Sequence, residues 1–245
     1  MTGGRRLVQG VGRAALASWR ALADVRTWLP QLPGLMRRLG VDSVPIAAFL
    51  AVFTGIVLAL LASYIFTGAV PLYFVGTLVT KAVLMELGPV LTGMALAGRV
   101  GANVAAELGS MKVTEQVDAL ETLSYNPHAY LVVPRVVAAT LMFPVITAIA
   151  MAIGVTSGWL TAIMTLDVST LDFIKGSRLF YQFKDIWYGL LKAASFGAAV
   201  ALFGTLQGLA TRGGAEGVGR ATTRAVVFGC MAILVLDAFW ALVLL

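Results

Sequence analysis

The stretch VVAATLMFPVITAIAMAIGVTSGWLTAIMTL, residues Val136–Leu166, holds no charged side chain. As a helix rising 1.5 Å per residue it exceeds the ~30 Å hydrocarbon core of a bilayer. Working outward, Val44–Phe66, Ala82–Gly98, Trp187–Gln207 and Ala225–Leu245 carry at most one charge each. The fold class this implies is an all-α polytopic membrane protein. It has five transmembrane helices, preceded by an N-terminal amphipathic interfacial helix. The spans are expected near residues 44–66, 82–107, 131–166, 187–208 and 225–245.

Of the 245 residues, 59% are hydrophobic and 12% charged, and the mean hydropathy is +0.90. This excludes a disordered chain and argues against a soluble one. The net charge of +6 would suggest nucleic acid in a soluble protein. Here the basic residues flank the spans, so no nucleic acid is expected. They set orientation and meet anionic lipid instead. With the N-terminus cytoplasmic, that side collects Arg5, Arg6, Arg13, Arg20, Arg26, Arg37, Arg38, Arg99, Lys112, Arg135, Arg212, Arg220 and Arg224. The other side keeps Lys81, Lys175, Arg178 and Lys184. The asymmetry fits an odd number of crossings and a C-terminus outside, with Trp187 and Tyr188 in an aromatic belt.

Residues 1–40 lack the apolar core and cleavage site of a signal peptide. Val8, Val11, Ala15, Trp19 and Leu22 recur at helical spacing, opposite Arg6, Arg13 and Arg20. This pattern reads as a helix lying in the interface, ended by Pro30 and Pro33. Pro89 and Pro144 should bend their helices. Small residues recur in the second span (Gly93, Ala97, Gly101, Ala105) and the fourth (Gly197, Ala201, Gly204, Gly208). Such faces serve tight packing within a bundle or homodimerisation.

Between spans two and three, residues 110–123 read as a short amphipathic helix. Val113, Val117 and Leu120 form its apolar stripe, with Lys112, Glu115, Asp118 and Glu121 on other faces. Three carboxylates disfavour contact with a negatively charged leaflet, so docking on a soluble partner is the better reading.

Within or near the hydrocarbon, the carboxylates Glu86 and Asp237 are costly unless paired or wet, and are therefore functional candidates. Lys192 and Asp237 lie at similar depth on antiparallel helices, and a structural ion pair is expected between them. No carboxylate pair is expected at the midplane. The outer end of span one, Leu58, Leu61, Ile65 and Phe66, is a candidate acyl-chain wall. The stretch Leu171 to Phe183, rich in Phe, is a candidate for contact with the outer leaflet. The single His128 and single Cys230 make neither a metal site nor a nucleophile–base pair. No catalytic residue, metal or cofactor is expected. Gly214–Ala221 mimics P-loop spacing but has Arg220 for Lys and Ala221 for Ser/Thr, and reads as a basic loop.

Glu86-Leu-Gly-Pro89, Ala97-Gly-Arg-Val-Gly101, Ala106-Glu-Leu-Gly-Ser-Met-Lys-Val-Thr-Glu-Gln-Val-Asp-Ala-Leu120, Asn126-Pro127 and Glu216-Gly-Val-Gly-Arg-Ala-Thr-Thr-Arg224 together resemble the MlaE/YrbE permeases. The resemblance covers roughly residues 40 to 245. It implies a permease domain at 41–245, forming a homodimer in the bacterial inner (cytoplasmic) membrane. It further implies a cytoplasmic ABC ATPase held through the helix between spans two and three, with Glu107, Lys112, Glu115, Gln116, Asp118 and Leu120 as coupling residues. A periplasmic MCE-domain protein, a STAS-domain protein and phospholipid cargo complete the implied set. Glu86 and Lys81 are the implied headgroup contacts. The family pattern often has a basic residue where this chain has Met85, and Lys81 lies one turn earlier. ATP-driven movement of phospholipid between inner and outer membranes, sustaining outer-membrane lipid asymmetry, is the expected function. The alternative is a secondary transporter or flippase driven by an ion gradient.

Overall fold

The computed structural model describes residues 24–66, 71–166 and 168–244. The amphipathic pattern from Arg6 to Leu22 lies outside them. Among the described residues, five helices are long and apolar enough to cross a membrane: α1 (Val25–Ile65), α2 (Phe74–Val113), α4 (His128–Thr165), α6 (Phe183–Leu209) and α7 (Gly214–Val243). Two short helices connect them, α3 (Gln116–Thr122) and α5 (Thr170–Leu179). The all-α polytopic class is borne out.

The helices outrun the apolar segments. The helical turns of α1 run on through Pro30 and Pro33. Each proline sits at the start of a turn, where its missing N–H costs no bond. Pro144 lies inside α4 without ending it. Helix α7 begins at Gly214, so the P-loop-like Gly214–Ala221 is helical rather than a loop.

Helix α1 packs on α4, α4 on α6, and α6 on both α2 and α7. Helix α2 runs through the centre and touches all the other long helices. One core cluster gathers Leu96, Val100, Leu108, Phe143, Ile146, Phe196 and Ile233. A second, beside α5, gathers Leu58, Ala62, Val79, Leu84 and Phe173.

The small-residue faces of α2 and α6 pack on each other within one chain. Gly93 meets Phe196, and Gly204 meets Val104 and the Gly101 carbonyl. Apolar lipid gives helices no hydrophobic reason to associate, so close van der Waals approach must hold them.

Helix α5 lies across the start of α2. Gly176 sits so close to the Tyr73 carbonyl that a Cβ there would overlap it, and Thr77 donates to the Gly176 carbonyl at 2.6 Å. Phe173 is buried, whereas Leu171, Leu179, Phe180 and Phe183 are exposed.

The helix expected over 110–123 is broken. Residues 110–113 finish α2, and α3 starts at Gln116. The break is Glu115, whose φ of 60° is left-handed. That conformation costs an L-residue about 1–2 kcal/mol, and a β-branched residue more. Glu115→Gly is therefore expected to leave the thermal unfolding midpoint unchanged or higher. Glu115→Val should lower stability by about 1 kcal/mol or more, as followed by circular dichroism in detergent.

Candidate functional site

Pro89 starts the site. Lacking an N–H, it leaves the Met85 carbonyl without its helical donor. The backbone answers with a wide five-residue turn over Val83–Leu87, in which Gly88 N–H reaches back to the Val83 carbonyl. Such wide turns inside α-helices are frequent at functional sites, and the described residues hold three more, at Met36–Gly40, Ala97–Gly101 and His128–Val132. The freed Met85 carbonyl accepts from Lys192 Nζ at 3.3 Å.

Gly189, one turn before Lys192, lets α6 come this close. A Cβ there would overlap the Leu84 carbonyl. Lys192 is fully buried. Its ammonium lies 2.8 Å from Glu86 Oε2 and also pairs with Asp237 Oδ1. Three helices thus place two carboxylates on one lysine. Lys192 and Asp237, the pair expected from helix depth, are brought together here. The Glu86 contact and the joining of two carboxylates do not follow from the sequence reading. The Lys192 ammonium also stands 5.0 Å from the Tyr188 ring centroid, within cation–π range. Tyr188 is therefore turned inward and 7% exposed, while Trp187 faces out. Trp240 Nε1 donates to Ser195 Oγ at 3.0 Å, fixing α7 against α6 one turn from Asp237.

The burial is graded. The side chains of Lys192, Asp237 and Glu86 are 0%, 18% and 46% exposed. A fully buried charge needs partners to remain charged in hydrocarbon, and Lys192 has them. Glu86 keeps one flank open.

Beside this group lies a cleft of about 390 Å³, lined by Lys81, Met85, Lys184, Trp187, Tyr188 and Leu191 among others. Lys81 and Met85 share it, and Lys81 pairs with Asp185 at 2.7 Å. Asp185 also accepts from the Gln182 N–H in a reciprocal cap of α6. Leu58 is a core residue at 8% exposure, while Leu61 and Ile65 face outward. Phe66 is half-buried against the second core. The four do not form one wall.

At the opposite end of the bundle, Glu107 is engaged within the subunit. It meets Arg135 at 3.0 Å and Arg38 at 3.6 Å. Arg135, buried, also donates to the Leu131 carbonyl at 2.6 Å. Glu107 therefore ties α1, α2 and α4 together instead of standing free as a docking residue. Lys112 and Asp118 pair at 2.6 Å, and Gln116 donates to Thr114 Oγ1 at 3.0 Å. Val117 is buried and Leu120 packs against the first core, whereas Val113 is exposed. The surface left open by α3 and the turn after it includes Glu115, Gln116, Asp118, Glu121, Leu123 and Tyr125.

The chain is 40% identical over 233 residues to a probable ABC transporter permease protein of Rickettsia typhi, covering 94% of this chain and 90% of the relative. A probable ABC transporter permease protein of Synechocystis is 38% identical, over 83% of this chain and 78% of its own length. The intermembrane phospholipid transport system permease protein MlaE of Haemophilus influenzae is 32% identical, covering 94% and 89% respectively. The family model described as Permease MlaE matches residues 34–243. Nearly the whole described bundle falls within that match, and the chain belongs to the MlaE permease family.

Proposed function

We propose that this protein is the non-catalytic membrane subunit of an ATP-driven ABC transporter that moves phospholipid between the inner and outer membranes. The observation that carries the reading is the buried Lys192 held by Glu86 and Asp237, with Glu86 half open beside a cleft bearing Lys81 and Lys184. A zwitterionic or anionic headgroup finds both signs of charge there. Charged groups this deep in a membrane protein mark transport pathways. The relatives' names, an ABC permease and a phospholipid transport permease, support the same reading.

The end bearing Arg38, Lys112, Arg212 and Arg224 is assigned to the cytoplasm by its excess of basic residues. The Lys192 end then faces the periplasm, in the inner membrane of a bacterial cell. An ABC ATPase docks on Glu115, Glu121, Leu123 and Tyr125, an acidic rim around exposed apolar side chains. A second copy of the chain, an MCE-domain protein on the periplasmic side and a STAS-domain protein bound to the ATPase complete the assembly.

Co-purification tests the docking. Glu121→Lys with Leu123→Asp is expected to release the ATPase while the permease keeps its fold, because neither side chain is buried. Retention of the ATPase by that variant removes the assignment.

One observation favours a second reading. Two carboxylates sharing a lysine resemble the buried ionisable groups of secondary transporters. Lipid movement that follows an imposed proton gradient without ATP would select it.

A further inference from the structure

At the basic end, α6 and α7 diverge around a cleft of about 320 Å³ lined by Gln207, Thr211, Arg212, Arg220 and Arg224 among others. A tight loop builds it. Gly213 and Gly214 take φ of 91° and 66°, a region glycine enters freely. Gly217 lies so close to the Arg212 carbonyl that a Cβ would overlap it. The loop is thereby folded back onto α7, and Arg212 joins Arg220 and Arg224 around one space. Among the described residues, the ion pair of these three arginines is Arg220 with Glu216 at 2.7 Å. The cleft therefore carries uncompensated positive charge.

The sequence of α7 above it decides what fits. Arg220, Arg224, Val227, Met231 and Leu234 follow one another at spacings of three and four, so they share a helix face. Val227, Met231 and Leu234 are each about half exposed, at 50%, 56% and 52%. A cationic cleft continues directly into an apolar stripe, as a headgroup continues into an acyl chain. An acidic soluble protein would match the arginines but not the stripe. Basic pockets between transmembrane helices are a recurrent way of holding anionic headgroups.

We infer that this cleft binds the phosphate of one anionic phospholipid from the leaflet at the basic end, with an acyl chain along Val227, Met231 and Leu234. The site lies at the other end of the bundle from Lys192 and does not depend on the transport reading.

Native mass spectrometry of the purified full-length protein tests it. The protein is equilibrated with phosphatidylglycerol or phosphatidylethanolamine at equal mole fraction. Wild type is expected to retain phosphatidylglycerol in preference. Arg220→Gln with Arg224→Gln should lower that retention roughly tenfold or more, since each cation near the headgroups contributes about 1 kcal/mol. Glu216→Gln, which frees Arg220, should raise retention by about fivefold. That gain cannot come from misfolding, so the proposal stays testable even if the double variant folds poorly. Equal retention by wild type and both variants overturns the site. Displacement of the lipid by excess inorganic phosphate assigns the cleft to free phosphate and overturns the lipid assignment. So does a double variant that keeps its lipid but loses the co-purifying ATPase.

Discussion

Lys192→Met is expected to destabilise the bundle more than loss of any exposed charge. The variant keeps side-chain length and apolar packing but withdraws the cation from between Glu86 and Asp237. Breaking a buried ion pair by removing one partner costs about 3–5 kcal/mol, because the other charge stays behind. Glu86 is nearly half exposed and recovers part of its hydration, so the lower end of that range applies. Asp237 is largely enclosed and does not. Neutralising all three groups, with Glu86→Gln and Asp237→Asn added to Lys192→Met, should restore most of the loss. Replacing a complete buried charge set by neutral groups is often harmless. Thermal unfolding of wild type, Lys192→Met and the triple variant in one detergent reads this directly. If the triple variant is no more stable than Lys192→Met, charge is not what holds the three helices at this level. Transport should stay low in the triple variant, because its stability returns without its charges.

Gly197→Leu should have a comparable effect by another route. A Cβ at Gly197 would stand 2.5 Å from the Ala139 carbonyl oxygen and 2.9 Å from the Phe143 ring. The nearest obstacle is backbone and cannot swing aside. Helix α6 would have to move away from α4, carrying Lys192 with it. The cost belongs at or above the upper end of the ~1–3 kcal/mol typical of overpacking. Gly34→Leu is the control, since nothing lies within 4 Å of a Cβ there. Protein yield and unfolding midpoint should fall for Gly197→Leu and hold for Gly34→Leu. Equal behaviour of the two would mean that close approach of α4 and α6 does not hold the bundle.

Much of this was legible from residue order, because apolar length and charge placement act locally. Val136–Leu166 has no reading other than a crossing, and the middle block Ala106–Leu120 carried the family resemblance that the Permease MlaE match bears out. Helix ends were less legible. Helix α7 starts at Gly214, well before the apolar run, because a helix beginning in the interface needs only capping and not hydrophobicity. The break at Glu115 was invisible for a different reason. Left-handed backbone is usually announced by glycine, and here a glutamate is held there. Helix depth alone pairs Lys192 with Asp237. Glu86 joins them only because α2 and α6 are neighbours, a fact that no local pattern encodes. The signals existed in hindsight: Pro89 frees a carbonyl four residues back, and Gly189 admits a backbone one turn from a buried lysine. The place of Glu107 in the motif points to docking. Its partner Arg135 is 28 residues away, across a helix pairing that the motif does not contain.

The proposed function has ATP, hydrolysed in a docked partner, move phospholipid past the Lys192-centred charge group. It is tested most directly by reconstituting the permease with its ATPase in liposomes and following fluorescent phospholipid after ATP addition. The expected result is transfer that requires ATP, is abolished when Glu121→Lys and Leu123→Asp uncouple the ATPase, and is strongly reduced by Glu86→Gln. Transfer by the permease alone, or transfer indifferent to ATP and to Glu86, would contradict it.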